Sequence, residues 1–361
     1  MNFIIAEFDH YEPIYGLLRC IEAVADKVIV YTPERFAVRL QNVNFGIKDV
    51  QFIVADNSED LFKYDIDSSA NSILIIAPSS HFEKALEYIE LLKPSKTLLW
   101  IRNINFWFMM GTRYKVFKRP RSQQHKIMLN VAGKADYLVV ESDTLERYLR
   151  RQTNNKYKTL IFPYSVYEKN LQGDGGSKLT ISLPGYIEES RRDYKLALSV
   201  FSKLDKDKFR LKILGQSRDE YGAGIIDDAK KLISNGYDIS FLDSPDRFEK
   251  EIVQSDVIFA PLNVNTRYSG VDEVYGKSKE SGVTYDVIRY SKPAIFPANM
   301  DLPGELSDCV LKYETENELE VIFNSILDIE YYKGLKNKAV AASAKYDVSV
   351  VSKALLRFLN K

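Results

Sequence analysis

The chain alternates short apolar strands with amphipathic helices, stops at a glycine cluster, and then begins the same alternation again. Residues 3–8, 28–31, 50–54, 72–77, 97–101 and 137–141 are compact runs of strand type. Segments 14–25, 82–92, 123–131 and 144–152 carry apolar residues at helical spacing. A linker from about Pro163 ends in Gly173-Asp174-Gly175-Gly176-Ser177. Beyond it come strands at 179–183, 209–214, 239–242, 257–260 and 294–296, with helices at 193–204, 225–235, 248–254 and 283–290. Three closing helices are expected at 316–327, 330–345 and 348–359. Strands alternating with helices specify parallel sheets covered on both faces. The expected fold class is α/β, with two such domains (1–165 and 166–345) facing a cleft. The last stretch, 346–361, is free to pack back onto the first domain.

Size and charge narrow the functions available. A chain of 361 residues exceeds one ordinary core, and 45% apolar with 28% charged residues is a soluble, globular composition. Fifty acidic and fifty basic side chains leave no net field, so no affinity for nucleic acid is implied. Cys20 and Cys309 lack metal-like spacing and suit buried thiols in a reducing cytoplasm. His10, His81 and His125 show no metal-ligand spacing, so no catalytic metal is expected. Residues 2–6 enter a strand directly, without a signal peptide's basic lead. No apolar run approaches the roughly 20 residues that cross a bilayer.

The chemistry concentrates between Asp256 and Pro297. A strand closed by Pro261 leads into the polar loop LNVNTRYSGVDEVYGKSKESG, then a helix and another strand. Ligands of parallel sheets bind beyond the carboxyl ends of the strands, where this loop hangs. Lys277, Ser278, Lys279, Ser281 and Gly282 offer cations, hydroxyls and bare N–H groups to phosphate oxygens. The positive end of the following helix adds to them. Asp286, one turn in, suits a sugar diol. This outlines a site for a nucleoside diphosphate.

The segment LTISLPGYIEESRRDYKLALSVFSKL, from Leu179, resembles the opening of the second domain in GT-B glycosyltransferases, particularly family 4. Gly185, Arg192, Leu198, Phe201 and Leu204 occupy the family's glycine, basic and inward apolar positions. FRLKILGQ, with Gly215 ending a strand, and ISFLDSPDRFEKEIVQSDVIFAPL follow in the family's order. The resemblance covers residues 179–297 and implies two Rossmann-like domains, a nucleotide-sugar donor, and retaining, metal-independent transfer. It also implies a glycan or lipid-linked acceptor on the N-terminal domain, in bacterial surface polysaccharide synthesis. Arg191 and Arg192 are expected to grip the diphosphate with Lys279, and Asp243 to flank the base or ribose. Counted back from Pro293, the family's ribose carboxylate falls on Asp286, while Ser291 replaces a glycine. The family's first glutamate aligns with Ser278; Glu273, with Gly276 after it, and the eight-apart pair Asp272 and Glu280 are the other candidates. For inverting transfer, Asp9 or His81, each after a strand of the binding face, would be the base.

A second region is distinct in charge. Between Glu90 and Asp136 no acid occurs, whereas Lys93, Lys96, Arg102, Arg113, Lys115, Lys118, Arg119, Arg121, Lys126 and Lys134 do, with Trp100 and Trp107 among them. Cations beside exposed aromatics fit an anionic membrane surface at its cytoplasmic face or a lipid-phosphate acceptor, through residues 93–134. The alternatives are a core segment with a solvated basic loop, a sugar-nucleotide epimerase on the same fold, and a non-catalytic partner subunit.

Overall fold

In this computed structural model, residues 1–63, 72–109, 120–169, 171, 173, 176–217 and 219–359 are described. The first sheet contains β1 (Asn2–Glu7), β2 (Lys27–Thr32), β3 (Asp49–Val54), β4 (Ile73–Ala77), β5 (Lys96–Trp100), β6 (Tyr137–Val140) and β7 (Thr159–Ile161). Their spatial order is β3-β2-β1-β4-β5-β6-β7, all parallel. Every residue of β4 is buried, as a central strand covered on both faces must be. The second sheet contains β8 (Leu179–Pro184), β9 (Phe209–Leu214), β10 (Ile239–Phe241), β11 (Val257–Phe259), and, after the hairpin described below, β14 (Ala294–Pro297) and β15 (Val310–Tyr313). Its order is β10-β9-β8-β11-β14-β15, again parallel. In each sheet the strand order reverses beside the first strand, β1 or β8. Loops leaving the carboxyl ends there open a crevice.

The last helix, Val348–Leu359, returns to the first sheet. Val351, Leu355 and Leu359 join the core under β1 and the helix Tyr11–Ile21. Ser352 Oγ donates to the Cys20 carbonyl at 2.6 Å, and Lys96 Nζ to that of Leu359 at 3.0 Å.

The structure differs from the sequence reading in several parts, and β7 and β15 are strands that it did not predict. The loop 262–282 is not irregular: β12 (Asn265–Tyr268) and β13 (Val271–Val274) form an antiparallel hairpin. It turns at Ser269 and Gly270, both with positive φ. Serine-glycine between alternating residues is a hairpin signal that the surrounding polarity masks. Helices Glu34–Gln41 and Ile104–Phe108 are short and absent from the helices expected from the sequence. In the basic stretch, Trp100 and Trp107 are 3% exposed and belong to the core, so neither offers a face to a membrane. Trp100 ends an interior strand, and Trp107 packs edge-on against Phe82. Arg113, Lys115, Lys118 and Arg119 lie outside the described residues, as do Asp174 and Gly175. Among the described residues, no helix is long and apolar enough to cross a membrane.

Candidate active site

The loops at the carboxyl ends of both sheets enclose a cleft of about 920 Å³. Its C-terminal wall is built on two glycines. Gly185 leaves β8 with φ +94°, and a Cβ there would lie 2.1 Å from Arg192 Nη2. Gly215 leaves β9 so close by that its Cβ would meet the Gly185 carbonyl oxygen at 1.9 Å. Tyr194 OH donates to that same oxygen at 2.7 Å. Only residues without a side chain let the two strand ends approach this closely. Arg192 covers them, 8% exposed, with Nη1 donating to the Tyr186 carbonyl at 3.4 Å. Its neighbour Arg191 reaches the cleft and pairs with Glu188 at 3.2 Å.

Lys279 enters from the end of the hairpin. Its Nζ donates to Asn103 Oδ1 at 2.6 Å and stands 5.0 Å from the Tyr268 ring centre. Burial, and then the guanidinium of Arg191, depress the lysine to about 8. Both cations line the one cleft. Beside them Ser281 caps the helix Gly282–Tyr290, its Oγ accepting from the Val283 N–H. The N–H end of that helix opens on the cleft with no obstruction at Gly282. Asp286, one turn further, also lines the cleft. Burial, with Glu12 nearby, pushes its carboxyl up to about 8.

The N-terminal wall is acidic and basic at once. Arg102 bridges Glu7, at the end of β1, and Glu141, just after β6, the latter at 3.6 Å. Burial alone would raise Glu7; Arg102 and His10, with the Asp9 N–H donating at 2.9 Å, hold it at about 2. Glu141 accepts from Trp100 Nε1 at 3.0 Å, yet burial raises it to about 6. Across the seam Glu280 accepts from Ser142 Oγ at 3.0 Å, and burial raises it to about 8. Asp9 lies on this wall, exposed.

Of the residues singled out in the sequence, Asp9, Gly185, Arg191, Arg192, Gly215, Lys279, Ser281, Gly282 and Asp286 converge on this cleft. His81, Asp243 and Glu273 stand outside its lining. His81 precedes the helix Phe82–Leu92 with φ 50° and faces Glu59 at 3.0 Å. Asp243 is exposed and pairs with Arg247. Glu273 has no exposed surface: its carboxylate accepts from the N–H groups of Phe106 at 2.9 Å and Asn105 at 3.4 Å. It spans the two domains instead of facing a sugar. Burial raises it to about 7. Glu7 and Glu141 had no assigned site role in the sequence, although each directly ends an apolar run. Arg102 was assigned only to the basic stretch 93–134, and Glu280, paired with Asp272 as a candidate for the family's first glutamate, lines the cleft while Asp272 does not.

Two parallel sheets facing one another across a polar cleft at their carboxyl ends define the GT-B fold. Solved structures carry the same architecture over nearly the whole chain. Anabaena HepE in complex with UDP and glucose superposes with a TM-score of 0.69 at 10% identity, covering 100% of this chain and 99% of that one. Sucrose-phosphate synthase from Thermosynechococcus elongatus gives 0.64 at 12%, covering 100% and 98%. A Rickettsia africae glycosyltransferase gives 0.63 at 12%, covering 99% and 97%. No protein-family profile and no curated protein matches the chain in sequence.

Proposed function

We propose that the protein is a GT-B glycosyltransferase that moves a sugar from a nucleoside diphosphate, UDP, to an acceptor hydroxyl. One observation carries this reading: Arg191, Lys279 and the open N–H end of the helix Gly282–Tyr290 line the same cleft, and the guanidinium depresses the lysine. Like charges raise each other's energy, and a diphosphate between them relieves the repulsion. Uridine is preferred because Anabaena HepE and pneumococcal GtfA bind UDP on the same fold. The ribose lies by Asp286, whose neutral carboxyl both donates and accepts. The base lies along Leu242, Pro245 and Phe248, which line the adjoining part of the cleft.

In the reaction the bond from the anomeric carbon to the β-phosphate oxygen breaks, and a bond to the acceptor oxygen forms. The electron pair leaves with UDP, where Arg191, Lys279 and the helix end stabilise the charge without a metal. The acceptor proton passes to the departing phosphate oxygen, and the sugar keeps its anomeric configuration. This route needs no general base. We assign the acceptor to the N-terminal wall around Asp9. A glycan or lipid-linked alcohol of a bacterial surface polysaccharide is the class favoured by the resemblance at residues 179–297.

Calorimetric titration with UDP, GDP, ADP and CMP and their sugars tests this. UDP binding is expected, and Lys279→Ala or Arg191→Ala should each weaken it by about 1.5–3 kcal/mol, the scale of a charged hydrogen bond. No nucleotide binding, or unchanged affinity in both variants, would refute the reading. The burial of Glu273 favours a second reading, a non-catalytic subunit. Release of UDP from UDP-glucose in the presence of acceptor separates the two.

A further inference from the structure

Helix Glu34–Gln41 follows β2 at the carboxyl edge of the first sheet and presents Arg35 and Arg39 to the cleft. The two lie one helical turn apart, and both side chains are exposed. Among the described residues neither forms an ion pair, and Arg192 of the same cleft forms none either, whereas Arg102, Arg191 and Arg289 there do. Aromatic faces hold them in place: the guanidinium carbon of Arg39 is 3.9 Å from the Tyr11 ring centre, and that of Arg35 is 4.5 Å from the Phe36 centre. Stacking fixes the plane of a guanidinium and leaves its N–H fork directed outward. Glu12 lines the same cleft at hydrogen-bonding distance from neither arginine, and Glu249 is engaged by Arg289 at 2.9 Å.

We propose that Arg35 and Arg39 bind the acceptor through a phosphate group, so that the molecule receiving the sugar is a phosphate ester. Two stacked guanidinium groups supply the two positive charges and the forked donors that a phosphomonoester dianion requires. The inference rests on the glycosyltransferase reading and deepens it: donor phosphates are held by one domain and the acceptor phosphate by the other. A phosphosugar and a lipid phosphate share this chemistry.

The experiment uses the full chain saturated with UDP. Binding of UDP to the unmodified protein reports on the glycosyltransferase reading alone, so failure there is recognised separately. Inorganic phosphate, glucose 6-phosphate and dodecyl phosphate are then titrated into the UDP complex, with glucose and dodecanol as uncharged controls. The inference expects phosphate to bind, at least one ester to bind more tightly than phosphate, and Arg35→Ala/Arg39→Ala to lose that binding at least tenfold. UDP affinity of the variant should stay within twofold, which also shows that it folds. Preference for glucose 6-phosphate identifies a soluble phosphosugar, and preference for dodecyl phosphate a lipid. The inference is overturned if phosphate does not bind, if neither ester improves on it, or if the variant binds equally well. Loss of UDP affinity in the variant overturns it too, by returning both arginines to the donor site.

Discussion

On the proposed reading, Lys279 is a proton-linked phosphate ligand. Depressed to about 8 in the free protein, chiefly by burial and next by Arg191, it must be charged to hold a diphosphate. A diphosphate restores its proton, so UDP binding should take up protons near pH 8 and weaken as pH rises above it. Lys279→Arg, charged throughout, should flatten that dependence between pH 7 and 9 in calorimetric titrations. At the strand ends, Gly215→Ala puts a methyl group 1.9 Å from a backbone oxygen that cannot swing away. The expected loss is about 1–3 kcal/mol of unfolding free energy in urea, with weaker UDP binding. The clustering of Lys279, Ser281, Gly282 and Asp286 was legible in sequence because one strand-loop-helix unit carries them all; the contacts of others were not. Those of Glu7, Arg102 and Glu141 are among them: 95 residues separate Glu7 from Arg102, and only the parallel order of β1, β4, β5 and β6 aligns their ends.

The hairpin of β12 and β13 ties the domains together. Val271 enters the N-terminal core, Tyr268 meets Phe106 edge-on at 5.1 Å, and the Ile104 N–H donates to the Ser278 carbonyl at 2.8 Å. Asn105 Nδ2 donates to the Asp272 carbonyl at 2.9 Å, and Glu273 receives the first N–H groups of the helix Ile104–Phe108. Through Asn103 that helix also orients Lys279. Glu273→Ala leaves buried donors unpaired and should cost about 1–3 kcal/mol in urea unfolding, with weaker UDP binding. Glu273→Gln keeps an acceptor oxygen and should retain most of both. Equal behaviour of the two variants would mean that the carboxylate holds nothing. Lys279, Ser281 and Gly282 of this Gly-Ser-Lys loop line the cleft, but the loop's polarity hid the hairpin. Val271 and Glu273 face inward only because the other domain is there to receive them, which no local pattern reveals.

At the scale of the molecule, stability and function draw on the same buried charges. Glu273, Glu280 and Asp286 are raised to about 7, 8 and 8 from ordinary carboxylate values, each by burial first. The unfolded chain releases these protons near pH 4–4.5, while the folded chain keeps them to about 7–8. Between those limits the folded state binds more protons, so stability falls as pH rises. Glu7, held at about 2, acts oppositely and is lost only below pH 4.5. The midpoint of urea unfolding should therefore be higher at pH 5 than at pH 8. A rise across that interval would contradict the assignment. The two-sheet architecture was readable from periodicity, since it depends on apolar spacing within single segments, whereas an apolar helix face does not say which domain receives it. The measurement that bears most directly on the central claim is a crystal structure of the protein with UDP. The β-phosphate should lie within hydrogen-bonding distance of Arg191 and Lys279 at the N–H end of the helix Gly282–Tyr290, with uracil along Leu242 and Phe248. UDP bound elsewhere, or a cleft in which those two cations touch no phosphate oxygen, would contradict it.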